Sequence, residues 1–254
     1  MSIIKNIIKI SRPLRFFVDT FLFRHLNKSN DLHHLKNKYL NKTVLIVGNG
    51  PSLNNTPLDK LSKFPSIGMN KIDLIFDSTS WRPDHIIVTN NMVIKQHWKS
   101  LQIYKEKVIL AWKGRYFINF AQRKTFKYFN NFNDYNFSKR FDLGVGSGAT
   151  VTYHALQLAY YMGASKVILV GVDHNFKTSG DPLDYEKMKE EDVNHFDPNY
   201  FKLGQLWGIP DLVLSEENYL AAKKVYESDG KEIIDATVNG KLQVFNKQSI
   251  NDFL

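Results

Sequence analysis

Apolar positions along this chain come in short continuous runs, separated by longer polar stretches with helical capacity. The first clear run is Val44, Leu45, Ile46 and Val47, and it ends in Gly48, Asn49, Gly50, Pro51 and Ser52. Apolar residues in sequence, without alternation, mark a strand buried on both faces, as in a parallel sheet. Ser66 to Asn70 (SIGMN), His85 to Asn90 (HIIVTN), Lys107 to Trp112 (KVILAW), Lys166 to Val170 (KVILV) and Glu232 to Ala236 (EIIDA) repeat the pattern. Gly148 to Met162 (GATVTYHALQLAYYM) predicts a helix packed on that sheet, closed by Gly163 as C-cap. A second helix is predicted over Ser215 to Glu227, with Ser215 as N-cap and Gly230 beyond its end. Strands alternating with helices predict an α/β fold with a doubly wound, mainly parallel sheet. Residues 113–142, rich in aromatic, Asn and basic side chains, show no clean period, and their structure stays open.

The N-terminus has a different pattern. Within residues 1–28, Ile3, Ile4, Ile7, Ile8, Phe17, Phe21 and Leu22 fall near helical spacing, and Lys5, Lys9, Arg12, Arg15, Arg24 and Lys28 face a single acid, Asp19. This predicts a basic amphipathic helical segment over 1–35, kinked or divided at Pro13, ahead of a Rossmann-like domain over 36–254. Charges interrupt the apolar residues too often for a span of about 20 residues, and no apolar core with a cleavage site marks a secretory signal. The expectation is a cytoplasmic protein. Its apolar stripe is suited to the cytoplasmic face of a membrane as a peripheral contact, to the domain itself, or to a second copy in a homo-oligomer.

Charge and composition narrow the chemistry. The 254 residues include 34 Lys and Arg against 25 Asp and Glu, a net +9 that suits anionic partners. Charge is the sole nucleic-acid signal, so no nucleic-acid partner is expected. There is no cysteine, which excludes disulfides, thiolate metal sites and a Cys nucleophile. His33 and His34 read as solvated, and Glu186, Glu190, Glu191 and Asp192 as a solvated loop. His85, His97 and His154 have no zinc-site spacing, and no metal site is expected.

The ends of the predicted strands carry the candidate site, because ligands of doubly wound sheets bind outside the carboxyl ends of the strands. Gly48 and Gly50 permit positive φ and close approach of a ligand to the backbone, with Asn49 and Ser52 beside them. Asn70 closes the second run, Asn90 and Asn91 the third, and Gly146, Ser147 and Gly148 open a helix whose N-terminus can hold an anion. Each residue alone also suits a plain turn. Together they form a crescent of neutral donors and acceptors suited to a base, a ribose or phosphate.

The GNGPS turn, an Asn after each of the next two strands, the Ser-Gly opening a helix and the segment KVILVGVDHNF resemble the bacterial sialyltransferases of glycosyltransferase family 42 and the related MptE-like family. The resemblance spans about residues 42–246. The first relative implies inverting, metal-independent transfer of a sugar from a CMP donor, with a histidine as general base and no other cofactor. The second, a pterin diphosphokinase, implies diphosphate transfer from ATP with magnesium, which needs hard oxygen ligands. Its pattern carries an acidic ADGA-like turn after the second strand and a TDLD-like acidic pair after the third. Here Gly68-Met69-Asn70-Lys71 and Thr89-Asn90-Asn91-Met92 stand in those places, with amides for the acids.

The resemblance implies His195 as the base, by its order in the polar segment after the Gly-x-Asp, with His174 as runner-up. Asp173 is assigned to a backbone turn or the donor ribose. Tyr185 and Tyr200 are candidates for the leaving phosphate. The expected reaction moves a CMP-activated nonulosonic acid or Kdo-type sugar onto a glycan or glycolipid acceptor of a surface polysaccharide, such as lipopolysaccharide or capsule. The alternatives are the diphosphokinase and a silent nucleotide-binding partner of a polysaccharide assembly.

Overall fold

The apolar runs become the centre of one parallel sheet. The computed structural model describes residues 17–25, 32–132, 134–178 and 180–254. The strands are β1 (Thr43–Val47), β2 (Ser66–Met69), β3 (His85–Val88), β4 (Val108–Ala111), β5 (Lys127–Phe129), β6 (Lys166–Val170), β9 (Glu232–Asp235) and β10 (Asn246–Lys247), with β7 (Tyr185–Lys187) and β8 (Leu206–Gly208) forming a separate antiparallel pair. The eight-stranded sheet runs β10-β9-β6-β1-β2-β3-β4-β5. In the centre, Val44 pairs with Val167 and Leu45 with both Ile168 and Ser66. From β1 the chain winds outward through β5, then crosses back to place β6 on the other side of β1. That reversal lies between β1 and β6, and a crevice opens there because consecutive connections leave in opposite directions.

Helices cover the sheet. They are α1 (17–25), α2 (Asn91–Leu101), α3 (Phe120–Arg123), α4 (Val151–Tyr161) and α5 (Leu212–Ser228). Helix α4 is apolar on nearly every side, from Tyr153 to Tyr161, because it is sandwiched between the sheet and α5. Gly163 comes after it at φ +86°, the left-handed conformation that ends a helix with least strain in glycine. Helix α5 starts three residues before the predicted point. Asp211, rather than Ser215, is its N-cap, accepting from Leu214 N at 2.9 Å, while the Ser215 hydroxyl donates back to the Asp211 carbonyl. The aperiodic stretch 113–142 holds a 3₁₀ turn (Trp112–Phe117), α3 and β5. These elements are too short to complete a period.

Most of the predicted N-terminal segment, Pro13 included, lies outside the described residues. Helix α1 rests on its own domain. Phe23 is buried edge-on against Trp112, the Trp112 indole N–H donates to the Asp19 carbonyl, and Arg115 pairs with the Asp19 carboxylate at 2.6 Å. Trp112 comes directly after β4, so α1 sits at the carboxyl ends of the outer strands.

Candidate active site

A cleft of about 380 Å³ opens at the carboxyl ends of β1, β2, β3 and β6, at the crossover point of the sheet. Asn49, Gly50, Asn70, Asn90, Asn91, Gly148, Asp173, His174, Tyr185, His195 and Tyr200 all line it. Ser52 and Ser147 stand outside that lining. The Ser52 hydroxyl and N–H both donate to the Asp173 carboxylate, at 2.7 and 3.0 Å, and Ser147 N donates to the Asp134 carbonyl.

The glycines of the first turn serve packing rather than positive φ. Gly50 has φ −71°, and neither Gly48 nor Gly50 is left-handed. A Cβ on Gly48 would run into the Gly171 carbonyl, and one on Gly50 into the Asp173 carboxylate. Close approach is therefore between the β1 and β6 turns. Asp173 is the clamp between them, and burial pushes its carboxyl above the usual range against the opposing Ser52 bonds. At the helix side, Gly148 takes φ +43°, and α4 begins at Val151, capped by Thr150, three residues later than the predicted helix start.

The amides divide their work. Asn90 caps α2, its carbonyl oxygen accepting from Met92 N at 2.8 Å. Asn70 holds a left-handed turn at φ +51°, a conformation that Asn tolerates. The side-chain oxygens of Asn49, Asn70, Thr89 and Asn91, and Nε2 of His154, are buried without a hydrogen-bond partner, and all five residues line the cleft. A buried polar atom left unpaired costs free energy, so such a concentration in one crevice leaves a set of acceptors there for water or a ligand to satisfy. Among the described residues, no Lys or Arg lines the cleft.

The loop between β7 and β8 brings the titratable machinery. Phe196 N donates to the Asn49 carbonyl at 3.0 Å, and Asn54 donates to the Phe196 carbonyl, which ties this loop to the β1 turn. His195 is thereby held beside Asn49. Its Nδ1 lies 2.8 Å from Asp192 Oδ2, and its ring stacks on Tyr200 with centroids 3.9 Å apart and planes 1° from parallel. A carboxylate only accepts, so Nδ1 carries the proton and Nε2 is the basic nitrogen. Asp192, read from sequence as solvated, is buried: it also accepts from Asn194 N at 2.9 Å and Phe201 N at 3.3 Å. Tyr200 is itself buried, with its hydroxyl accepting from Lys71 N at 3.3 Å, and burial raises its pKa above the usual phenol range. His174 has a different partner, Glu216 at 2.9 Å, on the side of α5.

Sequence reasoning missed Lys71. Its ammonium is buried, donates to the Tyr200 carbonyl, lies over the Phe201 ring at 4.3 Å and feels the charge of Asp192. Burial lowers its pKa to about 8, against the pull of the acids. The signal was available as a lysine directly after a strand end, but nothing in sequence distinguishes it from a solvated one. Among the described residues no three His, Asp or Glu side chains assemble as a metal-ligand set.

The architecture is that of a doubly wound, parallel α/β domain. No protein-family model and no curated protein matches the chain. Two solved structures resemble it. The MAf glycosyltransferase from Magnetospirillum magneticum superposes with a TM-score of 0.52 at 14% identity, over 89% of this chain and 38% of that one, so this chain spans well under half of that protein's length. The sialyltransferase CstII from Campylobacter jejuni, solved in a complex with cytidine-5'-monophosphate, gives a TM-score of 0.38 at 14% identity over 82% of this chain and 85% of that one. At this identity, the likeness to the first is one of fold.

Proposed function

We propose that this protein is a glycosyltransferase that moves a sugar from a nucleotide donor, CMP-linked, to a hydroxyl of a glycan acceptor, with inversion and with His195 as general base. The observation that carries the reading is the His195–Asp192 pair, fixed against the β1 turn in a cleft of unpaired amide oxygens. Nε2 of His195 takes the acceptor proton as the acceptor oxygen attacks the anomeric carbon. The bond from that carbon to the donor phosphate breaks, and CMP leaves with the electron pair. A positioned base of this kind contributes about 10²–10⁴-fold.

The choice of donor rests on charge. A CMP-linked sugar carries a single phosphodiester, which the N-terminus of α4 and backbone N–H groups can serve, whereas a nucleoside diphosphate or triphosphate calls for more positive charge than a cleft with no Lys or Arg among its described lining residues supplies. The amide and hydroxyl oxygens are acceptors for an exocyclic amine and ribose hydroxyls. Nonulosonic acids and Kdo-type sugars are the activated sugars carried on CMP. The test is a thermal-shift panel of CMP, CDP, UDP, GDP and ATP, each with and without magnesium, since a ligand of the native state raises its melting temperature. CMP should give the largest shift, independent of magnesium. A shift confined to ATP with magnesium would move the reading to diphosphoryl transfer.

A further inference from the structure

We propose that the surface built by α1 and residues 112–124 seats the protein on an anionic phospholipid bilayer. All four exposed phenylalanines among the described residues stand there: Phe17 at 68% exposure, Phe21 at 52%, Phe117 at 38% and Phe120 at 84%, joined by Val18 and Tyr116. Single exposed apolar side chains need no explanation, but a cluster of this composition does. The two elements are joined through Asp19, which accepts from the Tyr116 hydroxyl at 3.0 Å and pairs with Arg115.

Charge selects the occupant. Residues 112–124 carry Lys113, Arg115, Arg123 and Lys124 and no acid, and the one acid of α1, Asp19, is spent on Arg115. Arg24, Lys113, Arg123 and Lys124 form no ion pair among the described residues, and the Arg123 guanidinium lies 5.5 Å from the centre of the Phe120 ring. Aromatic rings among basic groups suit the headgroup region of a bilayer, where rings enter the interface and cations meet anionic lipid.

Position gives the surface a purpose. Trp112 comes after β4, and Asn130, next after β5, donates to the Thr20 hydroxyl at 3.4 Å. The surface therefore lies at the same edge of the sheet as the cleft, and docking would present the cleft to an acceptor held at the bilayer. The docking itself does not depend on the identity of the donor.

Vesicle flotation of the full chain tests this, with phosphatidylcholine vesicles against vesicles containing phosphatidylglycerol. The protein should float with the anionic vesicles, and release as salt rises. Replacing Lys113, Arg123 and Lys124 together by Gln should weaken partitioning on the order of 100-fold, at about fivefold per charge. Phe117→Ser with Phe120→Ser should weaken it about tenfold or more at unchanged melting temperature. Equal binding to both vesicle types, or none, overturns the proposal. So does a self-association seen by light scattering that the same substitutions abolish without any vesicle binding, which would give the surface to a second copy. If the serine pair melts early, the glutamine variant alone decides.

Discussion

Asp192→Asn changes one atom in a residue that is 4% exposed, and the surrounding geometry sets the consequence. The carboxylate accepts three bonds, from Asn194 N, from Phe201 N and from Nδ1 of His195. With its oxygen kept on Asn194 N, the new amide presents N–H groups to Phe201 N–H and to His195. The imidazole then has to offer Nδ1 as an acceptor, its proton moves to Nε2, and the nitrogen proposed as the general base is no longer basic. Turnover should fall by about 10²–10⁴-fold, with donor affinity nearly unchanged. The orphaned Phe201 N–H costs about 1–3 kcal/mol, which lowers melting by roughly 2–12 °C in a domain of this size. Lys71 loses a countercharge as well, so its pKa drops further. CMP release in the presence of acceptor measures turnover, and calorimetric titration with CMP measures affinity. His195→Gln should cost about as much, and the double variant no more than either alone, because the pair acts as a unit. Turnover within about threefold of the parent, in a folded Asp192→Asn protein, would refute the role of the dyad.

Further outcomes test the fold and the first turn of the site. Burial holds the imidazoles of His85 and His154 at pKa values of about 3 and about 4, against about 6.5 when unfolded. Below about pH 6.5 the unfolded chain takes up protons that the native one refuses, so stability is full above that pH and is lost on acidification toward pH 4. The loss is at most about 1.4 kcal/mol per pH unit for each residue; His85→Gln should flatten the slope in urea titrations, and an unchanged slope would contradict the burial argument. Gly50→Ala drives a methyl into the Asp173 carboxylate and should destabilise by about 1–3 kcal/mol, whereas Asn49→Ala should keep its melting temperature and weaken CMP binding. Phe23→Ala should cost about 3–5 kcal/mol in urea denaturation if α1 is part of the core, and a loss well under that range would detach α1 from it.

The parallel sheet was legible because its strands are buried on both faces, which leaves continuous runs such as Val44 to Val47 that no surface element tolerates. The crescent at the strand ends came from the same reading, since Asn49, Asn70, Asn90 and Asn91 each fall where a run stops. Ser52 and Ser147 were legible only as neighbours of the site. Whether the Ser52 hydroxyl faces a ligand or clamps a turn depends on Asp173, distant along the chain, and the Ser147 backbone N–H is taken by the carbonyl of Asp134, hidden in an aperiodic stretch. The glycines of the β1 turn suggest ligand contacts for the same reason, because the atoms they accommodate belong to the β6 turn. Asp192 and Lys71 were hidden more deeply. A charged residue in a polar stretch reads as solvated, and their burial arises from the loop between β7 and β8 folding back onto the strand ends, which local sequence does not encode. The short elements between residues 112 and 129 escaped because their stability comes from packing against α1 and Trp112, without a period of their own.

The proposed transfer is decided by incubating the protein with CMP-activated nonulosonic acids or Kdo and a glycan acceptor, and monitoring CMP release and product anomer by NMR. CMP should be released and the product should have inverted configuration, insensitive to chelation, with turnover abolished in His195→Ala at preserved CMP binding. Retention of configuration, full turnover in His195→Ala, or diphosphate transfer from ATP that requires magnesium would contradict it.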